Sequence, residues 1–354
     1  MLDEKLLEAS VKEGRNNLTA DKLDMSFGEL MNLYSDGELI IDPAFQRLFR
    51  WSVEQRSRFI ESILLGIPIP SIFVAEDNDG KWEVVDGLQR ISTILSFVGL
   101  LKNNSDKNGW KMTICDLIQG IDDVAYEEFP LKYKLTIKRA FCRIEVIKWD
   151  SAYDMRYELF KRLNTGGSLL TNQEIRNCIF RGVSPDFTNQ INNLAMNQDF
   201  IEIIKPTKKQ KQELYLDELV LRFFSLFDNE KNVKKNISEH MSDYMHDATK
   251  NPQLNEGKEQ AFLQTLSLVK TCNNKAFVGK NNTFSSSLYD GIMIGIASHL
   301  PFYEKNHEVV KGKITKIKND TEFKQVSGSS SSYRKRVEMR IERALEIFGE
   351  YENS

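Results

Sequence analysis

The sequence is short of the residues from which metal sites and disulfide scaffolds are built. Its 354 residues include four cysteines and four histidines. No two cysteines form a CxxC pair and no histidines have HExxH spacing, which argues against a disulfide framework, a structural zinc site and a zinc protease. Isolated cysteines of this kind are typical of buried positions in a reducing cytosol, so we expect a cytoplasmic protein. The cysteines are Cys115, Cys142, Cys178 and Cys272.

An excess of one charge and a long hydrophobic run are also missing. Lysine plus arginine number 48 and aspartate plus glutamate 51, a net charge of −3, and 41% of residues are hydrophobic. Such a balance excludes a protein that coats nucleic acid by bulk charge. The longest strongly apolar stretch, residues 291–303, is shorter than the roughly 20 residues of a membrane span. Residues 1–15 are charged throughout, which predicts no secretory signal, and we expect no membrane association.

The common nucleotide-binding and hydrolase fingerprints are absent as well. There is no G-x-x-x-x-G-K-[ST] loop, no strand-borne G-x-G-x-x-G and no G-x-S-x-G elbow. A nucleotide site in this chain would therefore need another arrangement of backbone amides and cations.

What the sequence does contain differs between its two halves. Boxes of the S/T-x-x-E/Q type at Ser26–Glu29, Ser52–Gln55 and Thr171–Glu174 predict helix starts. Asn78-Asp79-Gly80 separates two apolar runs and predicts a hairpin. Strands are predicted at 71–75, 82–85 and 139–147, and helices near 27–35, 53–65, 152–163, 172–181, 185–195, 213–228, 236–248, 258–273, 285–299, 302–317 and 333–349.

This pattern predicts an α+β fold, with a small mixed α/β domain followed by an all-helical domain. The predicted divisions are an N-terminal helix or arm over 1–25, the mixed domain over 26–182 and the helical domain over 183–354. Basic residues cluster at 205–211 and within 311–343. Both clusters are compatible with a nucleic-acid face but more typical of a solvated helix surface.

The sharpest local feature is the segment from Trp82 to Thr93. An apolar strand ends at Asp86, turns through Gly87 and enters a helix, which places free amides at a helix N-terminus. Arg90 could bind a phosphate, Thr93 could donate its hydroxyl, and Asp86 could hold Mg²⁺ or position a water. The competing interpretation is a turn in which Asp86 caps the helix and pairs with Arg90.

Two further segments have the composition of anion sites. Gln46, Arg47 and Trp51 belong to FQRLFRW, in which arginines alternate with aromatic residues that could stack on a base; the alternative is a packed loop. Arg162, Asn164 and Gly166 belong to KRLNTGG, whose glycine pair could form an amide nest or simply end a helix.

Together these segments resemble one family. FQRLFRW, IESILLGIPIPSIFV, VVDGLQRISTILSF and FKRLNTGGSLLTNQEIRN stand in the order and spacing of the N-terminal domain of GmrSD-type restriction endonucleases, a domain of unknown function (number 262) with a core similar to the ParB/sulfiredoxin fold. The resemblance runs from about residue 40 to 181. The family signature is DGQQR followed by a hydroxyl residue, and here Leu88 replaces the first glutamine of the pair.

The resemblance implies nucleotide binding and Mg²⁺-dependent NTP hydrolysis in a bacterial restriction or anti-phage system that acts on DNA. It implies catalytic roles for Asp86, Gln89 and Arg90, with Asp86 also the metal ligand. It implies nucleotide contacts by Gln46, Arg47, Trp51, Gly87, Thr93, Arg162, Asn164 and Gly166. Alternatives are a non-catalytic DNA- or nucleotide-binding module and a DNA nickase that uses the same pocket.

Many relatives also carry a C-terminal HNH-type nuclease with a His-Ile-x-Pro core. The nearest segment here, Ser298-His299-Leu300-Pro301, is one residue short, and we interpret it as a helix terminus. We therefore expect a sensor or NTPase subunit that acts as a homodimer or beside a separate effector subunit.

Overall fold

The fold consists of two compact units, Met1–Leu170 and Thr171–Ser354, which are described separately. The first has a mixed sheet and the second is helical, so the predicted α+β class is confirmed. The predicted boundary between 182 and 183 stays a prediction. The structure, a computed structural model, describes residues 7–8, 11–12, 20–41, 51–77, 79–102, 105–148, 171–181, 184–228, 233, 236–272, 275–279, 282–328 and 331–350.

The N-terminal unit is built on a five-stranded sheet with the order β1-β5-β3-β4-β2. Short 3₁₀ turns at Ser105–Lys107 and Tyr126–Glu128 lie in the connection before the last helix. Its elements are β1 (Ala20–Ser26), α1 (Phe27–Asp36), β2 (Leu39–Ile40), α2 (Val53–Leu64), β3 (Ile72–Glu76), β4 (Trp82–Asp86), α3 (Leu88–Val98), α4 (Leu131–Arg139) and β5 (Phe141–Ile147).

The predicted hairpin is confirmed, since β3 and β4 pair antiparallel. Asp77 Oδ1 closes the turn by accepting from the amides of Asp79 and Lys81, both at 2.9 Å. β5 runs parallel to β3 and antiparallel to β1. β1 includes residues of the predicted N-terminal arm, and Met25 is its one buried residue, so the strand has no apolar alternation for a sequence pattern to detect.

One face of the sheet packs against the helices to form the core of this unit. Cys142, Ile144 and Val146 share that face, as the alternation in β5 predicts. Burial raises the pKa of the Cys142 thiol to about 12, which keeps it protonated and inert. Cys115 is partly buried with a pKa raised to about 11, whereas the side chains of Cys178 and Cys272 lie outside the described residues.

The second unit consists of helices joined by turns and two isolated β-bridges, within the residues that the structure describes. The prediction of one helix over 302–317 is wrong, because the chain breaks between two helices at Asn306. The Asn306 side-chain amide donates to the Phe302 carbonyl at 2.9 Å, a local contact that competes with helix continuation. The helices are α5 (Asn172–Arg181), α6 (Pro185–Ala195), α7 (Gln198–Ile204), α8 (Lys208–Gln212), α9 (Tyr215–Leu226), α10 (Ile237–Lys250), α11 (Lys258–Cys272), α12 (Ser286–Ala297), α13 (Leu300–Tyr303), α14 (His307–Asn319), α15 (Thr321–Gln325) and α16 (Arg334–Gly349).

A buried charge cluster joins three of these helices. Asp290 on α12 accepts from Arg222 on α9 and, at 2.7 Å, from Arg340 on α16. Burial lowers the pKa of Arg340, and the Asp290 carboxylate opposes that shift. Asp290 is the carboxylate that both buried guanidinium groups contact, so removing its charge is expected to be costly. Among the described residues, the helices are all too short or too polar to cross a bilayer.

We expect Asp290→Asn to destabilise the protein by about 3–5 kcal/mol, because it leaves two buried cations without a counter-charge. Denaturant unfolding of the variant measures this loss. The matched control is Asp199→Asn, which breaks the exposed Asp199–Lys270 pair and should leave the midpoint nearly unchanged. An Asp290→Asn midpoint equal to that of the control would contradict the prediction.

Candidate functional site

The candidate site is built where β4 ends and α3 begins. Gly87 is the N-cap of α3 with φ 96° and ψ 8°, in the left-handed region that favours glycine. A Cβ at this position would also lie 2.8 Å from the Ile72 Cγ1 atom. Any side chain here would have to displace the buried Ile72 side chain, in a backbone conformation that other residues rarely adopt.

A bulge in β4 precedes the turn. Asp86 lies opposite Phe73 while Val84 lies opposite Val74, so Val85 is an extra residue in the ladder. A bulge of this type bends the strand and redirects the next side chain. It places Asp86 at the end of the sheet with its side chain 38% exposed, where a carboxylate can meet a ligand.

Within the described residues, the N-terminus of α3 has no side-chain cap, unlike those of α1 and α2. Ser26 caps α1 and Ser52 caps α2 through their hydroxyls, as the sequence predicts. No side chain of the described residues caps α3, whose first helical hydrogen bond runs from the Ile91 amide to the Gly87 carbonyl. The amides of residues 88–90 precede that bond and, with the helix dipole, favour an anion.

Arg90 lies beside these amides but already has internal partners. Its Nη2 donates to Asp86 Oδ2 at 2.6 Å, and its Nη1 donates to the carbonyls of Ser71, at 3.0 Å, and Pro70. The side chain is 11% exposed. The structure thus shows the Asp86–Arg90 pair of the competing interpretation, although Asp86 does not cap the helix. The carbonyls of Pro70 and Ser71 are partners that the sequence reasoning missed, since a backbone acceptor has no residue signature.

Gln89 forms a hydrogen bond with Trp51, the last residue of FQRLFRW. Its Oε1 accepts from the backbone N–H of Trp51 at 3.1 Å, across 38 residues of sequence. The Trp51 indole packs edge-on against Phe59 with ring centroids 5.5 Å apart, so in this conformation it supports the core rather than offering a stacking face.

Two other residues of the motif face inward. Thr93 is 1% exposed, and its hydroxyl donates to the Gln89 carbonyl at 2.6 Å. Leu88 is partly buried and packs against the hydrophobic core of the unit. The residue that replaces the family's glutamine therefore supports the turn from beneath. A phosphate contact by Thr93 stays a prediction.

The remaining predicted ligands fall outside the described residues. The predicted convergence of Arg47 with Arg90 in one cleft therefore stays a prediction, as does the amide nest of the second loop. These residues are Gln46, Arg47, Arg162, Asn164 and Gly166.

The last motif continues into α5 of the second unit. Thr171 and Glu174 form the predicted capping contacts, with the Thr171 amide 2.6 Å from a Glu174 oxygen. Arg176 is fully buried; it donates to Gln173 Oε1 at 2.9 Å and to the Ser238 carbonyl on α10 at 3.2 Å. These residues anchor the motif in the helical unit rather than present it to a ligand.

His299, in the segment interpreted above as a helix terminus, lies between α12 and α13. Its Nδ1 is 2.9 Å from the Gly295 carbonyl, and the backbone of Gly349 packs against its Nε2 side. Within the described part of the chain, no group of three or more His, Cys, Asp or Glu side chains is placed to hold a metal ion. Asp86 is thus not part of a cage of metal-binding side chains among the residues that the structure describes.

Comparison with known proteins adds one finding. Residues 27–181 match the family model of the GmrSD restriction endonuclease, N-terminal domain, over a segment that contains β4, Gly87 and α3. No curated protein and no solved structure gives a significant match. The family ties this part of the chain to the restriction of DNA. Residues 27–181 therefore belong to the GmrSD restriction endonuclease N-terminal domain family.

Proposed function

We propose that the N-terminal unit binds a nucleoside triphosphate at the Gly87 turn and hydrolyses it within a DNA restriction or anti-phage system. The observation that carries this proposal is the uncapped N-terminus of α3 beside Asp86 and Arg90. It combines backbone donors, a cation and a carboxylate within one turn. This combination suits a phosphate group that brings its own divalent cation.

The phosphate contacts would come from the amides of residues 88–90 and from Arg90. Because Arg90 Nη2 is held by Asp86 at 2.6 Å, an incoming phosphate competes with that carboxylate for the guanidinium. The contacts of Nη1 with the Pro70 and Ser71 carbonyls can persist, since they use a different nitrogen. Binding would then free Asp86 at the moment when phosphate and metal arrive.

Of the residues described at this turn, Asp86 is the one that fits Mg²⁺. Mg²⁺ commonly binds proteins through one or two carboxylates, with waters and substrate phosphates as its other ligands. Asp86 can supply one carboxylate, partly exposed at the end of β4. When bound, Mg²⁺ would neutralise charge on the phosphates. Asp86 itself would orient the ion and accept hydrogen bonds from water near the phosphate.

A second candidate is a binding module without hydrolysis. The internal contacts of Arg90 favour it, because a guanidinium with three acceptors stabilises a turn without any ligand. The position of Leu88 favours it too, since an apolar side chain replaces the polar residue of the family signature. The two candidates differ in whether bound nucleotide is turned over.

The Arg90→Ala variant tests the phosphate site. We expect nucleotide affinity to fall roughly 10- to 150-fold, the value of a charge-assisted contact of about 1.5–3 kcal/mol. The unpaired carbonyls should also lower stability by about 1–3 kcal/mol. Titration with a fluorescent nucleotide and a melting curve measure both effects. Arg58→Ala, which removes an exposed ion pair with Asp116, serves as control; undiminished binding by folded Arg90→Ala would remove Arg90 from the proposal.

The Asp86→Asn variant separates hydrolysis from binding. We expect nucleotide to bind at least as well, because a negative charge near the phosphates is lost. Phosphate release should fall about 100-fold or more, within the range of a residue that positions a reacting water. The measurement is phosphate release from each NTP, with and without DNA. Binding without release in the wild-type protein would support the binding module, and unchanged release in folded Asp86→Asn would contradict the role of Asp86.

Leu88→Gln tests whether the family's polar residue restores activity. Because Leu88 packs against the core, we expect a buried amide, a loss of about 1–3 kcal/mol in stability and no gain in phosphate release. Leu88→Met, which conserves volume, should cost less than about 1.5 kcal/mol. Thermal melting and phosphate release are measured on both. An undiminished melting temperature with faster release would place Leu88 in the pocket lining instead.

A further inference from the structure

One surface of the N-terminal unit combines positive charge with exposed apolar side chains. It centres on α4 and lies outside the motifs considered so far. Between residues 129 and 144 the chain has no aspartate or glutamate. Its cations in that stretch are Lys132, Lys134, Lys138, Arg139 and Arg143.

Most of α4 faces solvent. Ile137 is the buried residue of the helix, while Leu131 is 71% exposed. At 100° per residue, Lys138, Arg139 and Lys132 fall within an arc of about 120° opposite Ile137, together with Leu131 and Leu135. We call these five residues the α4 basic face. Leu135 is partly buried, and the other four residues of this face are exposed, which leaves a surface free for a partner.

Three of the cations are not paired with an acidic side chain in the described part of the chain. Arg143 binds both oxygens of Asp24, at 2.9 and 3.0 Å, and Lys134 lies 3.7 Å from Glu127. Lys132, Lys138 and Arg139, by contrast, have no acidic side chain within 4 Å among the described residues. The Nζ atom of Lys132 lies 5.7 Å from the centre of the Tyr133 ring, a contact that does not neutralise its charge. The three positive charges on the α4 basic face therefore select an anionic partner.

We infer that the α4 basic face binds the phosphate backbone of duplex DNA, an inference that rests on the proposed role in DNA restriction. Lys132 and Arg139 are separated by about 10 Å along the helix axis, a span over which duplex DNA carries about six charges. Lysine and arginine on a helix surface contact phosphates without reading sequence. The exposed Leu131 can lie against deoxyribose, which is the least polar part of the backbone.

The test is a triple variant, Lys132→Gln, Lys138→Gln and Arg139→Gln, in the full chain. Glutamine has nearly the helix propensity of lysine and arginine, so the fold should be kept, and a melting curve checks this. Fluorescence polarisation with a duplex of about 30 base pairs, without nucleotide, measures affinity as a function of salt. We expect affinity to fall at least about 10-fold and the slope of log K against log salt to lose about 2.7, from 0.9 for each of three phosphate contacts.

The matched control removes the same charge from α8, with Lys208→Gln, Lys209→Gln and Lys211→Gln. We expect it to lose less than about threefold in affinity and to keep the salt slope. An equal loss in both triple variants would overturn the inference, because bulk charge would explain it. Displacement of DNA by polyglutamate of equal charge would also overturn it in favour of an acidic protein partner.

Different experimental results would overturn the inference and the proposed function. Nucleotide titration of the α4 triple variant should match that of the wild-type protein, because the Gly87 turn is unchanged. If the wild-type protein binds nucleotide but no duplex at low salt, the α4 assignment is overturned and the proposed function stands. If it binds duplex through α4 but no nucleotide, the reverse holds.

Discussion

Arg90 holds together the end of β4, the start of α3 and the loop before β3. Its guanidinium holds the carboxylate of Asp86 at the end of β4 and the carbonyls of Pro70 and Ser71 before β3. Gly87 makes this possible, because a side chain at that position would collide with Ile72 and approach the guanidinium itself. The strand end, the loop and the helix start are thus held in one arrangement by one side chain.

This arrangement also affects how tightly a ligand can bind. The Asp86–Arg90 pair has no net charge, so the attraction for a phosphate comes first from the open amides of α3. An anion that takes the Nη2 contact must compete with Asp86 for it, and the free energy of the broken pair is then subtracted from its affinity. A metal ion that binds Asp86 offsets that cost. Anion and cation are therefore expected to bind together more tightly than either binds alone.

The local rules of sequence account for much of this structure. Ser26, Ser52 and Thr171 begin helices where their capping boxes predict, and the hairpin forms around its turn residues. Such rules do not predict contacts between residues that are distant in sequence. The Gln89–Trp51 hydrogen bond joins a side chain to a backbone amide. Because nearly every residue has a backbone amide, the sequence does not indicate which one is the donor. β1 escapes for another reason, since an edge strand with a single buried residue lacks the alternation that marks a strand.

The site itself was predictable in its residues more than in its contacts. The strand–glycine–helix pattern locates Asp86, Gly87 and Arg90 correctly at one turn. Whether Arg90 faces a ligand or its neighbour depends on carbonyls from a separate loop, which no spacing of residues encodes. The inward position of Thr93 follows from its hydroxyl bonding back to the preceding helical turn, an option that competes with any external partner.

The family segment and the first compact unit end at different residues, and α5 lies between those two ends. The segment recognisable as a family domain ends at residue 181, yet its last helix is packed within the second compact unit. There the buried Arg176 depends on carbonyl and hydroxyl groups of α10, some 60 residues beyond the end of the family segment. Cutting the chain at the family boundary would strip a buried guanidinium of these acceptors. Residues 27–181 alone are therefore expected to be less stable than the same residues within the full chain.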